Sequence, residues 1–137
     1  MPAPLPYTVV VVDDVHDLRS LWTLMLERDA RFAVVAEAAN GQAGVTAVEQ
    51  HQPDLVLLDI AMPIMDGLQA LGLIRDQSPR STVVMLTSFS RDSRQAAQAM
   101  AMGAHGFLRK GLPRADLLRK LETILRGNQR TLGTAFC

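Results

Sequence analysis

Cysteine is all but missing from this chain: the single one, Cys137, is the last residue, so no internal disulfide can form. That fits a reducing compartment, and a lone terminal thiol reads as incidental rather than catalytic. No apolar run approaches the roughly 20 residues that a membrane-spanning helix needs. The stretch Met1-Pro2-Ala3-Pro4-Leu5-Pro6 has no basic segment and no long apolar core. It is expected to be a disordered lead-in and not a signal peptide. Net charge is absent too, because 14 Lys and Arg balance 14 Asp and Glu. Nothing global therefore draws the chain to nucleic acid or to an anionic membrane, and any electrostatic function must be local. Low-complexity tracts and internal domain boundaries are also lacking. What remains is 137 residues, 48% apolar and 20% charged, the size and balance of one soluble domain with a real core. A cytoplasmic location is expected.

Apolar runs alternate with helical patterns along the whole chain. Strands are expected at Thr8–Asp13, Phe32–Ala38, Asp54–Asp59, Thr82–Thr87 and Gly106–Arg109. Their aliphatic stretches are nearly continuous, as in strands buried on both faces, and the second is irregular enough to suit a sheet edge. Helices are expected at Asp17–Arg28 (stripe Leu18, Leu21, Trp22, Met25), Gly41–Gln50 (Gly44, Ala47, Val48) and Gly67–Gln77 (Leu68, Leu71, Ile74). Two more follow at Arg91–Met102 (Ala96, Ala97, Met100, Ala101) and Pro113–Arg126 (Leu117, Leu121, Ile124, Leu125). Asn40 suits an N-cap, Gly103 and Gly127 suit helix ends, and Pro113 suits a first helical position. Five consecutive βα units imply a parallel sheet covered by helices on both sides. The closed-barrel alternative needs about eight such units, which this length cannot supply.

The ends of the apolar runs carry the chemistry. Val9-Val10-Val11-Val12 leads into Asp13-Asp14, Leu55-Val56-Leu57-Leu58 into Asp59, and Val83-Val84-Met85-Leu86 into Thr87-Ser88. In a parallel α/β sheet the strand C-termini share one edge, and ligands bind there. Three carboxylates and a hydroxyl would meet in one crevice, and like charges so close need a cation. Each residue also has a bland reading. Asp59 could start a turn, Asp13 or Asp14 could cap the first helix, hydroxyls such as Thr87 are common after strands, and Lys110 could be a solvated lysine. Adjacent acids do not relieve each other, so capping leaves the pair unexplained. Asp66-Gly67 reads as loop punctuation and stays outside the site.

Taken in order, the acidic pair, Asp59 with its Met62-Pro63-x-Met65-Asp66-Gly67 follow-on, the Thr87-Ser88 pair, Gly103-Ala104 and Lys110 form a specific set. It resembles the receiver domain of two-component response regulators over about residues 7 to 127. The resemblance implies a flavodoxin-like three-layer αβα sandwich, doubly wound, with a five-stranded parallel sheet in the order 2-1-3-4-5. It implies that Asp59 accepts a phosphoryl group from a histidine kinase in a Mg²⁺-dependent reaction. Asp14, Asp59 and the Ala61 backbone carbonyl would ligate the Mg²⁺ directly, and Asp13 chiefly through a bound water. Lys110 and the Thr87 hydroxyl would hold phosphoryl oxygens as charge spreads over them. Thr87 would swing inward on phosphorylation, and Phe107, at the family's aromatic switch position, would follow; its bland reading is a core phenylalanine. The weak small-residue stripe of the fourth helix suits a contact of low stability that such a change could bias. The surface of the fourth helix, fifth strand and fifth helix is then the expected output face. Implied partners are a sensor histidine kinase or phosphotransfer protein upstream and an output domain or protein downstream. A phosphorylation-dependent homodimer stays open, while direct nucleic-acid and membrane contacts are not expected. The tail at 128–137 is too short for an output domain.

Some positions depart from common receiver patterns. Gly111 follows Lys110 where many receivers have proline, so a cis peptide there is not expected. Ala61 and Phe89, two residues beyond Asp59 and Thr87, are apolar and cannot orient an attacking water, which implies slow self-dephosphorylation. Lys110-Gly111-Leu112-Pro113 looks more like receivers of helix-turn-helix transcription factors than of the winged-helix class. An aspartate-nucleophile phosphatase would need an Asp-x-Asp pair after the first strand and room for a capping domain. A nucleotide or flavin domain would need a phosphate loop where Asp13-Asp14-Val15-His16-Asp17 would repel phosphate. The chain is thus expected not to be an enzyme beyond its own phosphotransfer and dephosphorylation. The remaining alternative is a receiver-like interaction module that works without phosphorylation.

Overall fold

Five apolar runs become five parallel strands: β1 (Tyr7–Val12), β2 (Phe32–Ala38), β3 (Leu55–Asp59), β4 (Thr82–Thr87) and β5 (Gly106–Arg109). A helix follows each: α1 (His16–Glu27), α2 (Gly41–His51), α3 (Gly67–Gln77), α4 (Ser93–Ala101) and α5 (Arg114–Phe136). The computed structural model describes residues 5–88 and 93–136. Phe89, Ser90, Arg91, Asp92 and Cys137, and the lead-in up to Pro4, lie outside the described residues. The sheet order is β2-β1-β3-β4-β5, the flavodoxin-like order expected, with β2 at an edge. Among the described residues no helix is long and apolar enough to cross a membrane.

Strand periodicity sorts the core into two halves. Val10, Val12, Val56, Leu58, Val83 and Met85 face α2, α3 and α4, where Val48, Leu71, Ile74 and Ala99 meet them. Their neighbours Val9, Val11, Leu55, Leu57, Val84 and Leu86 face α1 and α5, against Trp22, Leu26, Leu117 and Leu121. Because side chains alternate at every residue, a continuous aliphatic run is what a doubly covered strand requires. The topological switch lies between β1 and β3, which places the end of β1 beside the end of β3.

The helix details correct several sequence expectations. In α1 the inner face carries Trp22 and Leu26, with Leu18 and Met25 half-buried, while Leu21 is 47% exposed. In α4 the buried residues are Ala96 and Ala99; Ala97, Met100 and Ala101 face outward. A helix made largely of alanine has too little apolar contrast for periodicity to set its rotation. Helix α5 does not stop at Gly127 but runs to Phe136. A glycine inside a helix costs about 1 kcal/mol, but no proline follows, and Asn128 Nδ2 donates to Thr82 Oγ1 at 2.7 Å, tying the next turn to β4. Pro113 sits just before α5, its carbonyl accepting from the Leu117 N–H at 2.9 Å. Asn40 caps α2 as expected, its side chain accepting from the Ala43 N–H at 2.8 Å, and α4 gives way to Gly103 at φ 106°. Among the described residues the only cis peptide is Leu5–Pro6.

His105 completes the β4–β5 ladder. Its backbone N–H donates to the Val83 carbonyl at 2.8 Å, and its Nδ1 accepts the Val83 N–H at 3.0 Å. Burial, helped by the nearby Arg75 charge, lowers its pKa from the usual 6.5 to about 4. A protonated ring has no lone pair for Val83, so this contribution is present above the unfolded value and is lost as pH falls through the folded one. Wild type is expected to lose about 1–2 kcal/mol more than His105→Asn between pH 6.5 and 4, after allowance for solvent screening. Urea unfolding at both pH values checks this.

Candidate functional site

The C-terminal edge of the sheet collects the predicted carboxylates by register. Val12 pairs with Leu58 and Asp59 with Leu86, so Asp13, one residue past β1, stands beside Asp59. Asp13, Asp14 and Asp59 place carboxylate oxygens within 4.8 Å of one another. Asp13 is fully buried and Asp59 nearly so, while Asp14 is exposed to solvent. Neither member of the acidic pair caps α1. The cap position is Val15, which has no side-chain cap, and Asp13 Oδ1 instead accepts the Val15 N–H at 3.0 Å.

Lys110 enters from beyond β5. Its backbone N–H donates to the Thr87 carbonyl at 2.7 Å, which extends the β4–β5 ladder by one step and aims the side chain at the acids. Its Nζ lies 3.1 Å from Asp59 Oδ2 and 3.9 Å from Asp13 Oδ2. The ammonium at 3.1 Å pairs with Asp59 by charge, yet no donor is aligned on Asp59 Oδ2 as a hydrogen bond. Burial pushes the Asp59 carboxyl up to about 7; the charge of Asp13 and the Asp14 carboxyl add to this, and Lys110 pulls the other way. A buried carboxylate oxygen without a hydrogen bond, among two further acids and one ammonium, fits a hard divalent cation.

Thr87 is buried at the end of β4, and its hydroxyl donates to the Leu108 carbonyl at a long 3.4 Å. Phe107 is not a core residue: it is 40% exposed, with Lys120 Nζ 5.2 Å from its ring centre. Ala61 stands exposed in the β3–α3 loop. Asp66 is outside the site, as expected, and N-caps α3 by accepting the Gln69 N–H at 2.9 Å, while Gln69 Oε1 accepts the Asp66 N–H at 3.1 Å. Two contributors were not visible in the sequence. Trp22 donates its indole N–H to Asp13 Oδ2 at 3.3 Å, and Arg19 donates to the Asp13 carbonyl at 2.8 Å. Helical periodicity marks Trp22 as core; only the fold shows where its N–H points.

The model of the response regulator receiver domain matches residues 9–122. The chain belongs to that family. Receivers of this family act in two-component signalling, and the phosphoacceptor role is typical of them. Protein-glutamate methylesterase/protein-glutamine glutaminase 1 of Rhodospirillum rubrum is 38% identical over 141 residues, covering 95% of this chain and 36% of that protein. Nitrate/nitrite response regulator protein NarL of Escherichia coli is 34% identical over 122 residues, covering 89% of this chain and 56% of that protein. The chain thus spans about a third of the first relative and a little over half of the second. The signal receiver domain of a NarL response regulator from Mycobacterium tuberculosis superposes with a TM-score of 0.83 at 31% identity, covering 90% of this receiver and 99% of that chain. In this receiver the acidic pocket of Asp13, Asp14 and Asp59 lies where a cation would be held.

Proposed function

We propose that Asp59 is the phosphoacceptor and that Asp13, Asp14, Thr87 and Lys110 make the transfer possible. One observation carries the reading: the buried Asp59 carboxylate has an ammonium at 3.1 Å and two further carboxylates within reach, but no hydrogen bond on Oδ2. A carboxylate oxygen of Asp59 attacks the phosphorus of a phosphohistidine or a small acyl phosphate. The P–O bond to Asp59 forms as the bond to the donor breaks. Asp14, Asp59 and the Ala61 carbonyl would hold Mg²⁺, and Asp13, both of whose oxygens already take protein donors, would act through water. When bound, the ion neutralises the charge that otherwise keeps two anions apart. Three carboxylates against one ammonium leave two negative charges, which one divalent ion cancels. Lys110 gives an aspartyl phosphate its cationic partner. The Thr87 hydroxyl, held on Leu108 by a long bond, is poised to turn toward a phosphoryl oxygen.

Phe107 supplies the readout. In the structure its ring is outward and beside Lys120, and the surface of α4, β5 and α5 around it is the proposed output face. A cation–π contact at an exposed site is worth about 0.5–1 kcal/mol. Lys120→Ala is therefore expected to raise the inward population of the Phe107 ring in unphosphorylated protein about two- to five-fold. Aromatic NMR exchange measurements check the result.

The donor is a sensor histidine kinase or a phosphotransfer protein, and the listener is an output domain or protein, with a homodimer as one form of the active state. The proposed location is the cytoplasm, and no catalysis is assigned to the chain beyond its own phosphotransfer and hydrolysis. Incubation with acetyl phosphate tests the reading: phosphoryl uptake is expected with Mg²⁺ and none with chelator. Equal uptake in both, or uptake in neither, contradicts it.

A further inference from the structure

Asp13 is held at both oxygens. Oδ1 takes the Val15 N–H at 3.0 Å, and Oδ2 takes the Trp22 indole N–H at 3.3 Å, with Lys110 Nζ 3.9 Å from that same Oδ2. The side chain is fully buried, so water cannot replace a lost donor without a rearrangement. Trp22 is itself only 3% exposed, and its ring packs in the α1/α5 half of the core. An indole fixed in a packed core has little rotamer freedom, so its N–H is a rigid donor rather than an adaptable one. Arg19, one turn earlier, donates to the backbone carbonyl of the same aspartate at 2.8 Å while its Nε pairs with Glu37 at 3.2 Å. Two residues of α1 therefore set the position of Asp13, one through the main chain and one through the carboxylate.

We propose that Trp22 is a positioning residue for the acidic site. Its indole N–H locks the carboxylate of Asp13, and through it sets how tightly the Asp13, Asp14 and Asp59 cluster holds a divalent cation. This rests on the reading that the cluster binds Mg²⁺. An outer partner that orients an acid acts on a metal as ligand-supporting hydrogen bonds do, and losing one typically weakens binding about ten-fold or more. Asp13 works here through water, so the loss is expected near the lower end.

Because Trp22 is the only tryptophan in the chain, its indole N–H gives a single, unambiguous ¹H–¹⁵N signal. In a Mg²⁺ titration of the full chain this signal is expected to move with the same midpoint as the backbone amides of Asp14 and Asp59. Trp22→Phe keeps an aromatic ring in the core and removes the donor, and it is expected to raise the Mg²⁺ Kd about 10-fold. Leu26→Val, a core truncation one turn further along α1, serves as the packing control and should leave the Kd unchanged. An indole signal that stays still while the amides titrate overturns the proposal and leaves the cation reading intact. So does a Leu26→Val variant that weakens Mg²⁺ as much as Trp22→Phe. If no amide responds to Mg²⁺ at all, the cation reading fails and the proposal with it. The wild-type titration decides the matter even if Trp22→Phe does not fold.

Discussion

Asp59→Asn is expected to make the metal-free protein more stable at pH 8, although it removes the proposed phosphoacceptor. Burial and the neighbouring acids raise the Asp59 pKa from 3.8 to about 7, so the folded state holds this proton more tightly than the unfolded chain does. Stability from a raised pKa is fully present below the unfolded value and is lost as pH rises through the folded one. Above pH 7 wild type therefore carries a buried charge that asparagine lacks. A shift of this size corresponds to at most about 4 kcal/mol at roughly 1.4 kcal/mol per pKa unit. The attraction of Lys110, 3.1 Å from Asp59 Oδ2, is already contained in that raised value, and relaxation and water penetration around the buried charge reduce the figure. A net gain on the order of 2 kcal/mol remains, or about 4–8 °C in Tm for a domain of this size. The advantage should vanish near pH 4, where wild type is protonated as well. Adding Mg²⁺ should reverse the order, because a ligand that binds only the folded wild type stabilises it by mass action. Chemical unfolding of both proteins at pH 4 and pH 8, with and without Mg²⁺, checks each part. A wild type that is the more stable at pH 8 without metal would count against the account of the site.

Gly67→Ala is expected to damage fold and site together. Gly67 opens α3 directly against the end of β3, its N–H donating to the Ile60 carbonyl at 2.8 Å. An added methyl would overlap the Asp59 carbonyl oxygen and lie 2.7 Å from Ile60 Cα. Both obstacles are backbone, so no side chain can swing away. Relief requires moving either α3 or the end of the central strand, and that strand end carries the proposed nucleophile. Overpacking of this kind costs about 3 kcal/mol or more, which corresponds to a Tm lower by about 10 °C. Phosphoryl uptake should fall at least ten-fold even at temperatures where the variant is folded, since a displacement of about 1 Å at a reacting group costs on the order of 100-fold. Gly72, on the same helix, has nothing within 4 Å of an added Cβ. Gly72→Ala is the matched control, expected to leave both stability and uptake intact or slightly improved.

The strands and their ends were legible in the sequence because the signal is local. A run such as Leu55-Val56-Leu57-Leu58 can only be a doubly buried strand or a piece of buried helix, and the turn residues around it decide between them. Once five such runs alternate with helices, the fold class follows, and with it the shared edge where Asp13, Asp14, Asp59 and Lys110 meet. Features that depend on distant partners were not legible. The rotation of α4 is set by how closely Ala96 and Ala99 approach the sheet, a contact that no helical period in an alanine-rich segment records. Helix α5 passes Gly127 with a long-range contact, Asn128 to Thr82, outweighing a local stop signal. The bland reading of Phe107 as a core residue fails, because a four-residue strand alternating from Gly106 turns it away from the core. The bond from Trp22 to Asp13 spans nine residues and a change of element.

The most direct test of the central claim is intact-mass analysis of wild type and Asp59→Asn after parallel incubation with acetyl phosphate and Mg²⁺. Wild type is expected to gain the mass of a single phosphoryl group, and Asp59→Asn none. The same gain in both proteins would place the phosphoryl group elsewhere. No gain in folded, Mg²⁺-saturated wild type would mean that the receiver works as an interaction module without phosphorylation. Either result would contradict the account.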